Sequence, residues 1–542
     1  MKKELKRTLI NIAITIVFGF VYFYLKLPAI NLQDPDFYGF IILMSIVYML
    51  LTLFTLGLLK TNDSRELLAG IRANCKIPAL ICIVLVLVML IGTLVGAPLF
   101  RARSYSNLLQ IETGDFLADV EEVNYEQIPM LDEASAKKLG DRKMGELAEY
   151  VSQFEVSNDY TQINYNGRPV RVTSLVYGDA IKWLTNRSRG IPAYLIIDMV
   201  TQNVEVVRLP EGIKYTTAEH FSRDLTRHLR FNFPTYMFDE ATFEIDDDGV
   251  PYWVCPRVVR RIGLFGGTDI CGAVLVNAIT GESKYYADGE IPTWVDRVFT
   301  ADLIIEQYDY YGTYSGGFWN SIFGQRNVTV TTDGSAYLAI GDDVYMYTGI
   351  TSVMSDESNI GFILANQRTK ATRFYAIAGA EEYSAEDSAE GIVQHLGYDA
   401  TFPLLLNISG EPTYFMALKD SAGLVKMYAM VNVQQYQIVA TGVTVLECER
   451  AYLALLSSGG LGTGESLVQN EVSGFVADVK TAVIDGNTHV YIRLTGRDFY
   501  YIISVSDAPT AALVELGDRV KLTVSDSEGE LVSAFDIAFD RG

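Results

Sequence analysis

The sequence predicts a multidomain protein: a three-helix transmembrane anchor, then α+β repeats with antiparallel sheets, and finally a small C-terminal β-barrel. Three observations predict this fold class. The first hundred of the 542 residues contain three long, uncharged apolar stretches. Much of the remainder alternates apolar and polar residues with period two, which is typical of strands. A Gly/Ser-rich segment then separates the last part of the chain, so several hydrophobic cores are expected.

The apolar stretches at 8–25, 37–59 and 77–100 are assigned to three membrane helices, so residues 1–100 form the anchor and the lipid bilayer is a predicted partner. A helix of about 20 apolar residues crosses about 30 Å of hydrocarbon. Unpaired polar groups there are costly, and uncharged stretches of this length therefore belong in lipid. No small-residue cleavage site follows the first stretch, so we expect a retained helix rather than a signal peptide.

The positive charges predict the orientation of the anchor. The amino-terminal tail and the loop at 60–76 carry four Lys or Arg residues each, whereas the loop between the first two helices carries only Lys26. Short loops rich in Lys and Arg stay in the cytoplasm. Arg101 and Arg103 oppose this orientation but are outnumbered. We therefore expect a plasma-membrane protein with a cytoplasmic N-terminus and an extracytoplasmic C-terminal region.

The charge balance argues against nucleic acid as a partner. The chain has 43 basic and 66 acidic residues, a net charge of −23. The anchor is slightly basic, so residues 101–542 carry a net charge of −27. Such a surface repels phosphate backbones.

The five cysteines are too few for a disulfide scaffold in a chain of this length. Cys255 and Cys271 flank a Gly-rich turn at 263–267 and could face each other across a hairpin. In an oxidising compartment they would then form a disulfide. The alternative is a pair of buried free thiols.

Residues 101–155 are predicted to form a polar stalk, to about residue 131, and an amphipathic helix. The helix is indicated by apolar residues at steps of three and four positions. These residues are Leu139, Met144, Leu147, Val151 and Phe154.

An internal repeat indicates one or more α+β modules in 156–300 and a further module in 301–456. A Gly, a Pro two residues later and an aromatic two residues after that occur three times. The copies are Gly190, Pro192 and Tyr194; Gly249, Pro251 and Trp253; and Gly410, Pro412 and Tyr414. Gly tolerates positive φ and Pro is acceptable at the first position of a strand, so the pattern predicts a turn entering a strand.

A helical segment precedes two of these turns, with Thr217-Ala-Glu and His228-Leu in one copy and Ser384-Ala-Glu and His395-Leu in the other. A helix followed by antiparallel strands, with the phrase Ala273 to Glu282, resembles the PepSY group of small extracytoplasmic modules. The resemblance covers Tyr215–Tyr286 and Tyr383–Ile438, and Asn277 stands where the group usually has Asp. It implies that these modules bind or restrain partners rather than catalyse.

Residues 457–467 read as a Gly/Ser linker, and residues 468–542 as a separate barrel. Five strands are predicted, with a short Ala-rich helix between the third and the fourth. They are Gly474–Val483, His489–Leu494, Phe499–Val505, Arg519–Val524 and Leu531–Phe539. This order resembles an OB-type barrel. No basic groove is evident, so a spacer or assembly role is expected rather than nucleic acid binding.

No catalytic motif, cofactor site or metal site is predicted. His220 and His228 lie eight residues apart without the Glu-x-x-His context of a zinc protease. The segment 244–249 resembles half of a calcium loop, but position 255 is Cys where an acid is needed. Ser315 lies among glycines without matching a nucleophile elbow.

An aromatic segment, 308–324, is the candidate contact surface. Phe318, Trp319 and Phe323 lie among glycines, where a regular element cannot pack every ring. Exposed aromatic rings suit a protein contact or a membrane surface. The alternative is that the rings fold back over the sheet core.

Together these features predict a membrane-anchored, non-enzymatic binding or scaffold protein of the bacterial cell envelope. Protein partners in the envelope and a homo-oligomer are both compatible with it. One alternative is an accessory subunit of a transport or channel complex, although the apolar helices offer few polar groups to line a path. Another is an extracytoplasmic enzyme or a regulator of one.

Overall fold

The computed structural model describes residues 2–57, 64–122, 128–129, 131–353, 358–459, 470–484, 487–505, 508–524 and 531–539. The chain divides into two compact units, Met1–Leu456 and Ser457–Gly542, which we call unit 1 and unit 2. Each unit is described by itself.

Unit 1 begins with three long apolar helices, as predicted. They are α1 (Lys2–Lys26), α2 (Pro35–Gly57) and α3 (Ser64–Gly96). Their candidate spans have mean hydropathies of 2.0, 2.3 and 3.0, so each is long and apolar enough to cross a membrane. Asn11 of α1 donates from Nδ2 to the hydroxyls of Thr52 (3.4 Å) and Thr55 (3.2 Å) on α2, which joins the two helices.

The segment after α3 does not form a stalk. It contains α4 (Pro98–Tyr105), β1 (Ile111–Thr113) and α5 (Phe116–Asp119). Strand β1 pairs in parallel with residues 372–374, and the Phe116 ring lies 5.2 Å from that of Phe362. The prediction of a stalk was wrong because its few apolar residues are buried against a sheet that lies far along the chain.

The rest of unit 1 is built from four copies of one α+β module. In each copy a helix precedes five strands. The first and second strands both pair with the third strand. The third strand also pairs with the fourth, and the fourth with the fifth. The first module has α6 (Glu133–Glu146), β2 (Phe154–Val156), β3 (Thr161–Tyr165), β4 (Arg168–Tyr177), α7 (Ala180–Asn186), β5 (Ile191–Asp198) and β6 (Val204–Ile213). The second has α8 (Leu225–Asn232), β7 (Met237–Phe238), β8 (Thr242–Ile245), β9 (Pro251–Ile262), β10 (Gly266–Asn277) and β11 (Ser283–Ala287).

The third and fourth modules follow without interruption. The third has α9 (Ala301–Tyr314), β12 (Thr329–Thr331), β13 (Ala336–Ile340), β14 (Asp343–Ser352), β15 (Ser358–Asn366) and β16 (Thr372–Tyr375), and its sheet also takes in β1 and β17 (Gly379–Ala380). The fourth has α10 (Glu382–Ile392), β18 (Asp399–Ala400), β19 (Leu404–Ile408), β20 (Glu411–Lys419), β21 (Val425–Asn432) and β22 (Val439–Gly442), followed by α11 (Val445–Gly459).

A shared turn confirms that the four copies are equivalent. The last residue of every fourth strand is Asp or Asn, and its Oδ1 accepts hydrogen bonds from the backbone N–H groups two and three positions later. These residues are Asp198, Asn277, Asn366 and Asn432. Such turns are a known use of short polar side chains.

The Gly-x-Pro turns identify the repeat only in part. Gly249 to Pro251 and Gly410 to Pro412 precede the third strands of their modules, as expected. Gly190 to Pro192 instead opens a fourth strand, β5. The equivalent turn in the first module is Gly167 to Pro169, where Gly167 has φ +76°. The requirement for an aromatic residue hid this copy, because position 171 is Arg.

The predicted amphipathic helix is shorter than expected. Helix α6 ends at Glu146, so Leu147 and Val151 lie in the following turns and Phe154 begins β2. The N–H of Leu147 bonds to the carbonyl of Met144, which tightens the helix and ends it beside Gly145, a poor helix former.

Neighbouring modules share their hydrophobic cores. Val172 and Tyr194 of the first module are buried in one cluster with Phe243 and Trp253 of the second. A second cluster joins strands of the second module to α9 and the sheet of the third. Its buried members include Val254, Ile270, Leu303, Ile304 and Met346. The first three modules are therefore joined by shared cores.

Unit 2 is a closed five-stranded barrel whose strand positions agree with the prediction. The strands are β23 (Asn470–Ile484), β24 (Asn487–Leu494), β25 (Tyr500–Ser504), β26 (Arg519–Val524) and β27 (Leu531–Phe539), in the order β23-β24-β25-β27-β26. The expected short helix is a 3₁₀ turn at Pro509–Leu513. Of the predicted linker, 457–459 belong to α11 and 460–467 lie outside the described residues.

Candidate functional site

The second module is docked on the anchor through the turn of its β9–β10 hairpin. Phe265 lies edge-on to Tyr38 of α2, with ring centroids 5.5 Å apart. A Cβ placed on Gly92 of α3 would lie 2.9 Å from the Phe265 ring and 3.1 Å from Leu264. The hairpin turn can therefore approach α3 this closely only because position 92 lacks a side chain.

The loop between α1 and α2 binds the same module through backbone groups. Arg230 of α8 donates from Nε to the carbonyl of Leu27 (2.9 Å), and Ile30 N–H bonds to Pro234 O (2.8 Å). Gln33 Nε2 donates to the carbonyl of Arg260 at 2.9 Å. With contacts at α3 and at this loop, the module cannot swing freely on the anchor.

An aromatic ladder runs from the end of the third span into the predicted contact segment. Tyr105 donates its hydroxyl to Gly96 O at 2.9 Å, and its ring lies 4.7 Å from Tyr310. The contacts continue from Tyr310 to Tyr314 at 6.1 Å and from Tyr314 to Phe318 at 6.4 Å. The ladder therefore connects the anchor to the C-terminal end of α9.

The far end of the ladder is exposed. Phe318 is half-buried, whereas Trp319 is 63 % and Phe323 77 % exposed, and Ile322 beside them is also exposed. Trp319 and Phe323 stack at 5.8 Å on a π-helical turn. Trp319 and Phe323 therefore do not cover the sheet core. We call Trp319, Ile322 and Phe323 the aromatic tip.

The direction of α9 places the tip on the anchor side of unit 1. Leu303, near the start of α9, is buried in the sheet core, while Gln307 donates to the carbonyl of Thr268, two residues from the hairpin turn. Tyr310 and Tyr314 then reach Tyr105, which is bonded to the end of α3. The helix thus descends from the sheets toward the spans.

Cys255 and Cys271 are free thiols. Cys255 is opposite Val274 in the hairpin register, and Cys271 lies at a register shift between Ile270 and Ala273. The two thiols are therefore not cross-strand partners, and of the two alternatives the structure agrees with free thiols, of which Cys255 is buried and Cys271 half-buried. Burial raises the pKa of the Cys255 thiol, which makes it a poor nucleophile.

Sequence reasoning missed a buried carboxylate pair. Glu244 of β8 is fully buried and accepts hydrogen bonds from the backbone N–H groups of Asp296 (2.9 Å) and Arg297 (3.1 Å). Asp296 in turn accepts from the N–H of Asn164 in the first module at 2.6 Å. Burial raises the pKa of Glu244 to about 7, and burial together with Glu244 raises that of Asp296.

An ion pair around the buried carboxylate of Asp269 joins the second module to the third. Lys370 Nζ lies 2.6 Å from Asp269 Oδ1, and Arg261 Nε lies 3.0 Å from Asp269 Oδ2. Burial alone would raise the pKa of Asp269, but the hydrogen bond and charge of Lys370 hold it below its usual value. These polar contacts join the second module to the third.

Comparison with protein-family models finds no matching family, and comparison with curated proteins finds no matching relative.

Proposed function

We propose that this chain is a non-enzymatic binding or scaffold protein of the bacterial cell envelope, held in the plasma membrane with its N-terminus in the cytoplasm and its modules outside. The docking of the second module on α2, on α3 and on the loop between α1 and α2 carries the proposal. A flexible tether would suffice to retain a secreted domain, whereas the contacts at Gly92, Leu27 and Arg230 would hold the second module at a set height above the lipid.

The proposal also assigns a role to the four modules and to the barrel of unit 2. The helix followed by antiparallel strands in each module supports a PepSY-like binding role. In unit 2, the parallel pairing of the third and fifth strands and the closure of the first on the fourth support an OB-type barrel. An assembly role for this barrel would make the protein a homo-oligomer or a subunit of an envelope complex.

The aromatic tip is proposed to contact lipid rather than a protein partner. It continues the aromatic ladder that starts at Tyr105, whose hydroxyl is bonded to Gly96, the last residue of the third span. The exposed Phe100 of α4 lies between these two residues in the chain. Trp and large apolar side chains are favoured where hydrocarbon meets headgroups. The tip would then be a second attachment point, beside the three spans.

Labelling of intact cells tests the proposed orientation. Ser421→Cys places a thiol on an exposed turn of the fourth module, and Lys6→Cys places one on the amino-terminal tail. A membrane-impermeant maleimide is expected to label the first variant on intact cells and the second only after permeabilisation. The reverse pattern would refute the extracytoplasmic assignment.

Quenching by lipids brominated near the headgroup tests the lipid contact in nanodiscs. Quenching of the wild-type fluorescence should fall when Trp319 is replaced by Phe. The matched control is Trp183→Phe, which removes a half-buried indole on α7 that donates to Glu219. Equal quenching in the Trp319→Phe variant and the wild type would place the tip in water or against protein.

A further inference from the structure

One position of the repeat changes its chemistry in the first module. The position lies two residues after the Pro of the turn that leads into the third strand. It is occupied by Trp253 in the second module and by Tyr414 in the fourth, and each is 1 % exposed. Strand register places Met346, also buried, at the same point of the third module. In the first module this position is Arg171, which is 8 % exposed. A cation thus replaces a large apolar side chain in the repeat.

The guanidinium of Arg171 is poorly compensated. Its Nε and Nη1 donate to the carbonyls of Leu131 (3.4 Å) and Tyr160 (3.3 Å), both at the long end of the hydrogen-bonding range. Within the described residues no carboxylate forms an ion pair with it, because Asp132 is bonded to Lys419 (2.6 Å) and Glu133 to Lys137 (2.8 Å). A buried charge without an ion-pair partner is costly.

Arg171 lines a cavity of about 260 Å³ where the first, third and fourth modules meet. Gln162 and Tyr337 lie beside it in the lining, and Gln162 donates to the Tyr337 carbonyl at 3.4 Å. The remaining wall is mostly apolar and includes Leu131, Met199, Phe402 and Leu404. This volume is far above the roughly 10–15 Å³ that a single water requires, so a ligand of several non-hydrogen atoms fits.

We propose that this cavity, the Arg171 cavity, binds a small carboxylate that carries one negative charge and a short apolar tail. The carboxylate would take the free donors of Arg171, since a planar guanidinium matches a carboxylate with two parallel hydrogen bonds. The apolar wall would cover the tail. A multiply charged anion is disfavoured because Asp132 and Glu133 also line the cavity. The inference names the ligand class for the proposed binding role, but its test does not depend on the membrane orientation.

Titration of the full-length protein in nanodiscs with hexanoate tests the proposal. Hexanoate should bind saturably, and hexan-1-ol, which has the same tail and no charge, should bind at least about tenfold more weakly, because a neutral hydroxyl forms weaker hydrogen bonds with a guanidinium than a carboxylate does. Arg171→Met should cause a similar loss of hexanoate binding. Signal from empty nanodiscs is subtracted, so partition into lipid is not counted.

Two further variants keep the test decisive. Arg171→Lys retains a charge without the planar fork and should bind hexanoate more weakly than the wild type. Ala336→Leu fills the cavity and leaves Arg171 in place, so it should also lose binding. Melting curves establish that each variant is folded. The inference would be overturned if the wild-type protein did not bind hexanoate. It would also be overturned if the folded Arg171→Met and Ala336→Leu variants bound hexanoate as the wild type does. Neither result would bear on the envelope scaffold role.

Discussion

The first and second modules have the same strand pairing but place different residues in equivalent buried positions. Where the second module has Trp253, whose Nε1 donates to Tyr215 O at 3.0 Å, the first has Arg171. Conversely, the second module has Glu244 where the register of the first places the apolar Ile163. The module topology thus tolerates a charged residue at either position, provided that neighbouring modules or a ligand form hydrogen bonds with it.

The two modules also differ in the connection between their third and fourth strands. In the second module β9 and β10 have 12 residues each and are joined by a short turn, whereas β4 and β5 of the first have 10 and 8 and are joined through α7. The long hairpin of the second module places the turn at Phe265 against Gly92 of α3. This hairpin distinguishes the module that docks on the anchor from the first module.

The largest effect on stability is expected when an arginine is introduced in the second module at the position equivalent to Arg171. Trp253→Arg puts an unpaired cation into an apolar core and should lower the free energy of unfolding by about 4 kcal/mol or more. Chemical denaturation of the protein in detergent measures it. Trp253→Phe, which keeps an aromatic ring, is the control and should cost clearly less.

Gly92→Leu should detach the hairpin of the second module from the anchor. A leucine there overlaps Phe265 and Leu264, so amide hydrogens of 257–270 should exchange faster than in the wild type. Gly39→Leu on α2 is the matched control, because a Cβ at Gly39 meets nothing within 4 Å. Equal exchange in both variants would contradict the docking of the hairpin on α3.

A smaller, pH-dependent effect is expected at Glu244. Because its pKa is raised from 4.5 to about 7 in the folded protein, folding takes up protons between these values, and stability should fall as pH rises through this window. Asp296 shifts in the same direction. Glu244→Gln should flatten this fall, whereas Glu240→Gln, an exposed carboxylate, should leave it unchanged. Melting temperatures from pH 4.5 to 7.5 measure the slope.

The features that the sequence predicts well depend on local signals. The spans follow from uncharged runs, and the barrel strands from turns and alternation within a few residues of each strand. The fourfold repeat was only partly predicted because the pattern of Gly, Pro and a following aromatic residue includes Gly190 and omits Gly167, which is followed by Arg171 at the aromatic position. A better marker of the repeat is an Asp or Asn that is followed three residues later by Thr. It occurs at Asp198, Asn277 and Asn366.

The features that were missed depend on contacts distant in the chain. Ile111 pairs with Thr372, so no local pattern distinguishes β1 from a stalk. The burial of Arg171 arises where three modules meet, and that of Glu244 arises from the loop carrying Asp296. Their sequence neighbours give no sign that either side chain is enclosed.

Replacing Arg171 and Trp253 separately by Met, the residue of the third module at this position, tests the central claim most directly. If the position is a core site that the first module has converted to ligand binding, Arg171→Met leaves the unliganded protein as stable or stabilises it, because buried charges are often replaced by apolar groups without loss. Trp253→Met should cost about 2 kcal/mol or more. Equal destabilisation by both substitutions would show that Arg171 is a structural residue and would contradict the account.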